Sequence, residues 1–268
     1  MSARDGWNLI SKAYQNNIRV SLEDVHYGPA SPGEREMKLL GNVEGKDVLE
    51  IGCGGGHNTI VLAKWGARST GLDISEEQLK HAERLAHEHK VAVQFHLGNM
   101  EQMEMFPDAN FDIVLSSCAI GYSENIERTF HEAFRVLRRG GAFVFCVVHP
   151  FRNRGRAIRY SGRKLWGIGN YFDRRRRTWI WRFGDVVAKF YGYHRTMQDY
   201  FNALTSAGFV VEGLFEPEPY PLKKMTAEEK RMIPYYWEGA EKEYEIRKRV
   251  PFILLFKARK PLACNSAV

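Results

Sequence analysis

The run Asp47-Val48-Leu49-Glu50-Ile51, broken at once by Gly52-Cys53-Gly54-Gly55-Gly56, constrains this chain more than any other stretch. Val48, Leu49 and Ile51 form a short apolar strand of the kind buried on both faces of a parallel sheet. Four glycines end it, and Asn58 to Trp65 reads as a helix that stops at Gly66. Strand, glycine turn and helix open a nucleotide-binding βαβ unit. The missing side chains let a ligand approach the backbone, and the helix start offers free N–H groups. The spacing Gly52-x-Gly54 has no glycine at position 57, where the dinucleotide fingerprint places its third.

Glu50 separates the ligand classes. A carboxylate at the carboxyl end of the first strand repels the phosphates of NAD or ATP and suits a ligand carrying an ammonium or a sulfonium. About twenty residues on, Thr70-Gly71-Leu72-Asp73-Ile74-Ser75 ends the next apolar stretch in an acid, where ribose hydroxyls are held. Glu50-Ile51-Gly52-Cys53-Gly54-Gly55-Gly56 and Gly71-Leu72-Asp73-Ile74-Ser75 resemble the first two motifs of class I S-adenosylmethionine-dependent methyltransferases. The resemblance extends over residues 46 to 148, with "FDIVLSS" from Phe111 to Ser117 as the fourth strand and Leu137-Arg138-Arg139-Gly140-Gly141 as a helix stop. It covers the last 75 residues by topology alone, and neither the Arg-rich stretch after Val148 nor the tip of the N-terminus.

The resemblance implies S-adenosyl-L-methionine as cofactor. Its site then draws on Glu50, Gly52, Cys53, Gly54, Gly56 and Asn58 at the glycine turn, and on Asp73, Ile74 and Gln78 after the second strand. Ser116 joins from the fourth strand. Asn99 stands where the family commonly has an acid that accepts from the adenine amine; its amide oxygen offers the same bond. Met100 lies against the adenine ring. The Asn-Pro-Pro-aromatic signature of enzymes that methylate nucleobase amines is absent from the fourth-strand exit, Ser117 to Tyr122.

The fold that follows is α/β: a Rossmann-like, seven-stranded, mostly parallel sheet with helices on both faces and two final antiparallel strands. Its 268 residues divide into an N-terminal helical cap (1–45), a cofactor-binding core (46–149), a basic aromatic insert or lid (150–193) and a C-terminal part of the core (194–268). The cap carries Trp7, Ile10, Ala13 and Tyr14 at helical spacing, a turn at residues 24–29 and a second helix from Pro32 to Leu40. Ser75 and Gln78 read as a capping box. A charged helix is expected over 226–248.

Charge is concentrated. Between Phe151 and Arg177 ten arginines and lysines stand against one acid, Asp173, so this stretch holds +9 and the rest of the chain −2, for a net +7. Its arginines are interleaved with Tyr160, Trp166, Tyr171, Phe172, Trp179, Trp181 and Phe183, and Thr178 to Phe183 alternates as a hairpin strand would. No apolar run reaches membrane-spanning length, and the first twenty residues lack the apolar centre of a signal peptide. Cys53, Cys118, Cys146 and Cys264 lack paired metal spacing and read as reduced thiols, with no metal site, in a cytoplasmic protein.

Ligands on open α/β sheets bind at the carboxyl ends of strands. Cys118 and Tyr122, with Trp179 and Trp181 from the insert, are therefore the substrate-binding candidates. Methyl transfer needs a base when the acceptor still holds its proton. The candidates are His149 at the end of the fifth strand, His194 where the insert rejoins the core, and Tyr14 and Tyr27 in the cap. His149 reads equally as a strand cap. The favoured reading is methyl transfer to oxygen, nitrogen or carbon of a small molecule. An RNA methyltransferase using the basic insert is the alternative, and a non-catalytic cofactor-binding protein the third. No membrane partner is expected, and a homo-oligomer is left open.

Overall fold

The computed structural model describes residues 2–235 and 249–262. Chain order runs α1 (Ala3–Asn17), α2 (Glu34–Met37), β1 (Asp47–Ile51), α3 (His57–Lys64), β2 (Arg68–Asp73), α4 (Glu76–Glu88) and β3 (Val93–Leu97). It continues through β4 (Phe111–Ser117), α5 (Ile126–Val136), β5 (Leu137–Val148) and α6 (Pro150–Asn153). Two hairpins follow, β6 (Gly155–Tyr160) with β7 (Arg163–Ile168), and β8 (Arg177–Phe183) with β9 (Val186–Gly192). The chain closes with α7 (Met197–Ser206), β10 (Val210–Phe215), α8 (Ala227–Met232) and β11 (Ile253–Arg259).

Seven strands form one sheet in the order β10-β11-β5-β4-β1-β2-β3, parallel except β11, which is antiparallel to both β5 and β10. Side chains alternate faces along each strand. Leu49, Ile51, Val114, Phe143 and Phe145 pack with α5 and α7 on one face. Val48, Ile113, Leu115, Val144 and Cys146 pack with α3 and residues 39–43 on the other. Burial on both faces explains why these strands read as near-continuous apolar runs. Between β1 and β4 the strand order reverses, which opens the crevice at their carboxyl ends.

Three expectations change. Helix 32–40 shrinks to α2, because the Glu34 carboxylate turns back to accept from the N–H groups of Leu39 (2.9 Å) and Leu40 (2.7 Å) and Lys38 adopts a left-handed φ of 52°. Arg138 to Gly141 is the irregular start of β5 rather than a helix stop. The basic cap of α5 comes instead from Lys260, whose Nζ donates to the carbonyls of Phe134 and Leu137, both at 2.7 Å. The capping box at α4 is half formed: Ser75 accepts from the Gln78 N–H, while the Gln78 side chain is turned to α1. Of the charged stretch 226–248, α8 and its Thr226 cap are present, and residues 236–248 lie outside the described residues, as does Cys264.

Helix α1 and the β8–β9 hairpin meet over the strand ends. Ile10, Ala188 and Phe190 are buried between them, with Trp7, Tyr14, Tyr122, Trp179 and Trp181 packed around. The ring pairs include Tyr14 stacked on Trp181 (5.5 Å, 7°) and Trp7 edge-on to Trp181 (5.3 Å). Such pairs add about 0.5–1.5 kcal/mol each beyond area burial. α1 is also latched to α4: Asn8 donates to Glu76 (2.7 Å), and Ser75 Oγ donates to Asn8 Oδ1 (2.6 Å). Arg4 pairs with Glu76 as well.

Candidate functional site

The turn after β1 needs its glycines. Gly52, Gly54 and Gly56 have φ of 72°, 53° and 78°, a region that L side chains rarely adopt. Added carbon at Gly52 would meet Ala119 Cβ at 2.2 Å, whereas at Gly54 the first neighbour is Gln78 Oε1 at 3.9 Å. The loop is therefore packed below and open beside Gly54. Gly56 caps α3 without a side-chain acceptor. Cys53 is buried beneath Gly71, its N–H bonded to the Leu72 carbonyl and its thiol pKa pushed up by burial and by Asp73.

Asp73, at the end of β2, accepts from the Gly54 N–H (2.8 Å) and the Ser75 N–H (2.9 Å), one on each carboxylate oxygen. A carboxylate has about four acceptor positions, so room for two hydroxyl donors remains. Burial raises its pKa, partly offset by these backbone bonds. Ile74 beside it is half-buried, and Met100 reaches toward Gly52 from the end of β3. A buried carboxylate with acceptor positions to spare, an open glycine backbone and a thioether beside it could hold an adenosyl group.

Glu50 is 3% exposed and turned onto α3. Its two oxygens accept from Asn58 Nδ2 (3.1 Å) and Thr59 Oγ1 (2.5 Å). Burial pushes its pKa up to about 7, against the lowering effect of these bonds. Asn58 also holds the cap in place, accepting from the His26 N–H (2.8 Å) and donating to its carbonyl (3.1 Å). Ser116 donates to the Ile51 carbonyl (2.9 Å), which spends its hydroxyl on strand spacing. Asn99 Oδ1 accepts from the Glu101 N–H at 3.0 Å, which takes one of its two acceptor positions. Gln78 Oε1 accepts from Gln15 of α1 at 2.7 Å, directly over Gly55.

Cys118, just past β4, has a left-handed φ of 57°, the strained backbone that clusters at ligand sites. Its sulfur lies 3.6 Å from Cys146 Sγ. Around it stand Tyr14, Tyr122 and Tyr235, all partly buried, with phenol pKa values raised by their removal from water. Each therefore stays protonated. Tyr14 is hydrogen-bonded to Tyr235. Tyr122 packs against Trp7, Trp179 and Phe190 and feels the charge of Asp73. Cys118, Tyr122, Trp179, Trp181 and Tyr14 thus meet in one region above the crevice.

The other base candidates do not join them. Tyr27 is fully buried in the core cluster on the α3 face and donates to Glu34 (2.5 Å). His149 uses both ring nitrogens: Nε2 meets Glu216 at 2.7 Å, and Nδ1 accepts from the Phe151 N–H as the cap of α6. His194 Nε2 donates to the Tyr171 carbonyl at 2.7 Å, away from the glycine turn. The imidazole that does border the crevice is His26, missed in the sequence because it sits in a turn of the cap. Its Nδ1 is 3.4 Å from Ser117 Oγ and 3.5 Å from the Tyr235 hydroxyl. Burial lowers its pKa to about 3, so it is neutral. Tyr235 and Gln15 were missed for the same reason: each arrives from a segment remote from the motifs.

Residues 49–145 match the family model of the methyltransferase domain. A protein of Haemophilus influenzae, described as uncharacterized, is 29% identical over 94% of this chain and 98% of its own length. Demethylmenaquinone methyltransferase of Tropheryma whipplei is 33% identical over 56% of this chain, and the match spans 60% of that relative. The crystal structure of a putative S-adenosylmethionine-dependent methyltransferase from Listeria monocytogenes superposes with a TM-score of 0.65 at 29% identity, covering 85% of this chain and 96% of that one. The glycine turn, the Asp73 clasp, the seven-stranded sheet and these likenesses converge, and the chain belongs to the class I S-adenosylmethionine-dependent methyltransferases.

Proposed function

We propose that this methyltransferase acts on a small molecule enclosed beneath the cap. The observation that carries the reading is the aromatic roof: Tyr14, Trp181, Trp7, Tyr122 and Trp179 close α1 and β8–β9 over the strand ends. Small-molecule sites are concave and mostly apolar, with a few polar groups that fix orientation. Residues 1–45 and 150–193 are in this reading the cap and lid over a core spanning 46–149. S-adenosylmethionine supplies an already activated methyl group when bound. Asp73 takes the ribose hydroxyls, Ile74 and Met100 flank the adenine, and the backbone of Gly52 to Gly56 borders the amino-acid end. Glu50 acts through its buried charge, ionised near and above neutrality.

The remaining task is alignment and exclusion of water, which together supply much of such a reaction's barrier lowering. Tyr14, Tyr122 and Tyr235 orient the acceptor as neutral phenols. Where a proton must leave, His26 is the group placed to take it, through Ser117 or Tyr235. Its low basicity favours an acceptor atom that reaches the site with a free electron pair. The test is incubation with methyl-labelled S-adenosylmethionine and two cell fractions, one of low-molecular-mass compounds and one of total RNA. Label in the first, lost in Tyr14→Ala, supports the reading; label confined to RNA contradicts it. The RNA reading keeps one observation of its own: Arg156, Arg159, Arg163 and Lys164 are exposed on the β6–β7 hairpin.

A further inference from the structure

Several arginines of the chain are paired through one edge of the guanidinium, and against that pattern Arg154 stands out. Arg174 grips Asp199 through Nε and Nη2 (2.9 and 2.8 Å), and Arg175 grips Asp173 through the same edge (2.8 and 2.7 Å). Arg68 and Arg259 use that edge on Asp47 and Glu212. It is the side of the guanidinium that matches an oxyanion two bonds at a time. In Arg154 both Nε and Nη2 are buried and have no partner. Its Nη1 reaches Asp173 at a loose 3.5 Å, and that carboxylate is already shared with Arg175.

Two further groups face the same place. Arg177 is half-buried close to Arg154; it donates through Nη1 to Asn153 (3.0 Å), and burial and the neighbouring guanidinium lower its pKa. His194 is 2% exposed and feels both arginines. Its Nε2 is fixed as a donor to Tyr171, and Nδ1 is buried without a partner. Buried guanidinium donors left unmet are costly, and two like charges held together out of water add to the cost. One oxyanion between them would answer the open fork and the paired like charges. Its charge would favour a proton on His194 Nδ1, which then donates to it; in the neutral ring, whose Nε2 donates to Tyr171, that nitrogen has only a lone pair. The place is beside the crevice: Arg154 follows β5 through α6, and the Tyr193 N–H donates to the Gly121 carbonyl (3.0 Å) in the turn that carries Tyr122.

We propose that Arg154, Arg177 and His194 form a subsite for an oxyanion, phosphate or carboxylate, carried by the methyl acceptor. The inference rests on the small-acceptor reading and sharpens it: the acceptor is an anion. Burial of the fork excludes a polymer backbone lying across the surface. Tyr171 and Asp173, from the segment 169–176 without helix or strand, wall the subsite.

The test is calorimetry of the full chain with inorganic phosphate and, separately, with acetate, at constant ionic strength set by chloride. It is run on the parent, Arg154→Lys and Arg159→Gln. Arg154→Lys keeps the charge and loses the fork; Arg159→Gln removes an exposed charge of β6–β7. Saturable one-to-one binding of either anion is expected, weakened at least tenfold by Arg154→Lys and unchanged by Arg159→Gln. The preferred anion names the group. A second readout needs no variant: in ¹⁵N spectra of the parent, His194 Nδ1 should shift on titration while the other imidazoles stay. No saturable binding of either anion, or equal weakening by both variants, overturns the subsite. S-adenosylmethionine binding by Arg154→Lys should be within twofold of the parent. Failure of the subsite alone leaves labelled small products in the fraction test; failure of the underlying reading leaves label in RNA.

Discussion

Glu50, His26 and His57 are displaced by one cause, burial that penalises the charged form, and in opposite directions. Glu50 is raised to about 7, while His26 and His57 are lowered to about 3 and about 4. The imidazoles favour folding above the unfolded histidine value near 6.5 and lose that contribution as pH falls toward their folded values. Glu50 runs the other way. Its burial costs nothing while protonated, and the cost grows as pH rises from about 4.5 to about 7. Glu50→Gln should therefore stabilise the ligand-free protein at pH 8 relative to pH 5 by roughly 2 kcal/mol against the parent. Urea unfolding at the two pH values measures it, and an equal effect at both would contradict the buried, titrating carboxylate.

At the scale of elements, the cap is held by rings rather than by chain connectivity. Trp181 touches Tyr14, Trp7 and Phe190, so its loss removes a stacked pair and two others from the roof. Trp181→Ala should raise the KM for acceptor at least tenfold. The affinity for S-adenosylmethionine should fall less, because Asp73 and the glycine turn belong to the core. Steady-state kinetics with calorimetry separates the two; equal losses would mean that the roof serves the cofactor alone. The hairpin strand Thr178 to Phe183 was legible from its alternation, and β1, β2 and their turns from local apolar runs and glycines. What the elements do to one another was not. Tyr14 and Tyr27 look equivalent in the sequence. One reaches the crevice and the other is bound to Glu34, a difference set by which sheet face each approaches.

For the whole molecule, the +9 insert divides into four fates: Arg154 and Arg177 are drawn in beside His194, and the other eight fall into three groups. Arg174 and Arg175 are ion-paired, Arg152 and Arg176 lie over aromatic rings, and Arg156, Arg159, Arg163 and Lys164 remain exposed. Composition could count these charges but not sort them, because pairing depends on Asp199 and Phe252, far along the chain. Replacing the four exposed residues with serine should leave small-acceptor turnover within about twofold and abolish any salt-sensitive adsorption of RNA. A parallel loss of turnover would assign the hairpin to the substrate. Among the described residues no helix is long and apolar enough to cross a membrane.

The most direct measurement is calorimetry of the purified protein with S-adenosylmethionine, S-adenosylhomocysteine and NAD, repeated on Asp73→Ala. The account predicts micromolar binding of the first two, none of NAD, and loss of binding in the variant, which removes both the ribose clasp and the acceptor for the Gly54 N–H. Binding of NAD alone, or undiminished binding of S-adenosylmethionine by Asp73→Ala, would contradict it.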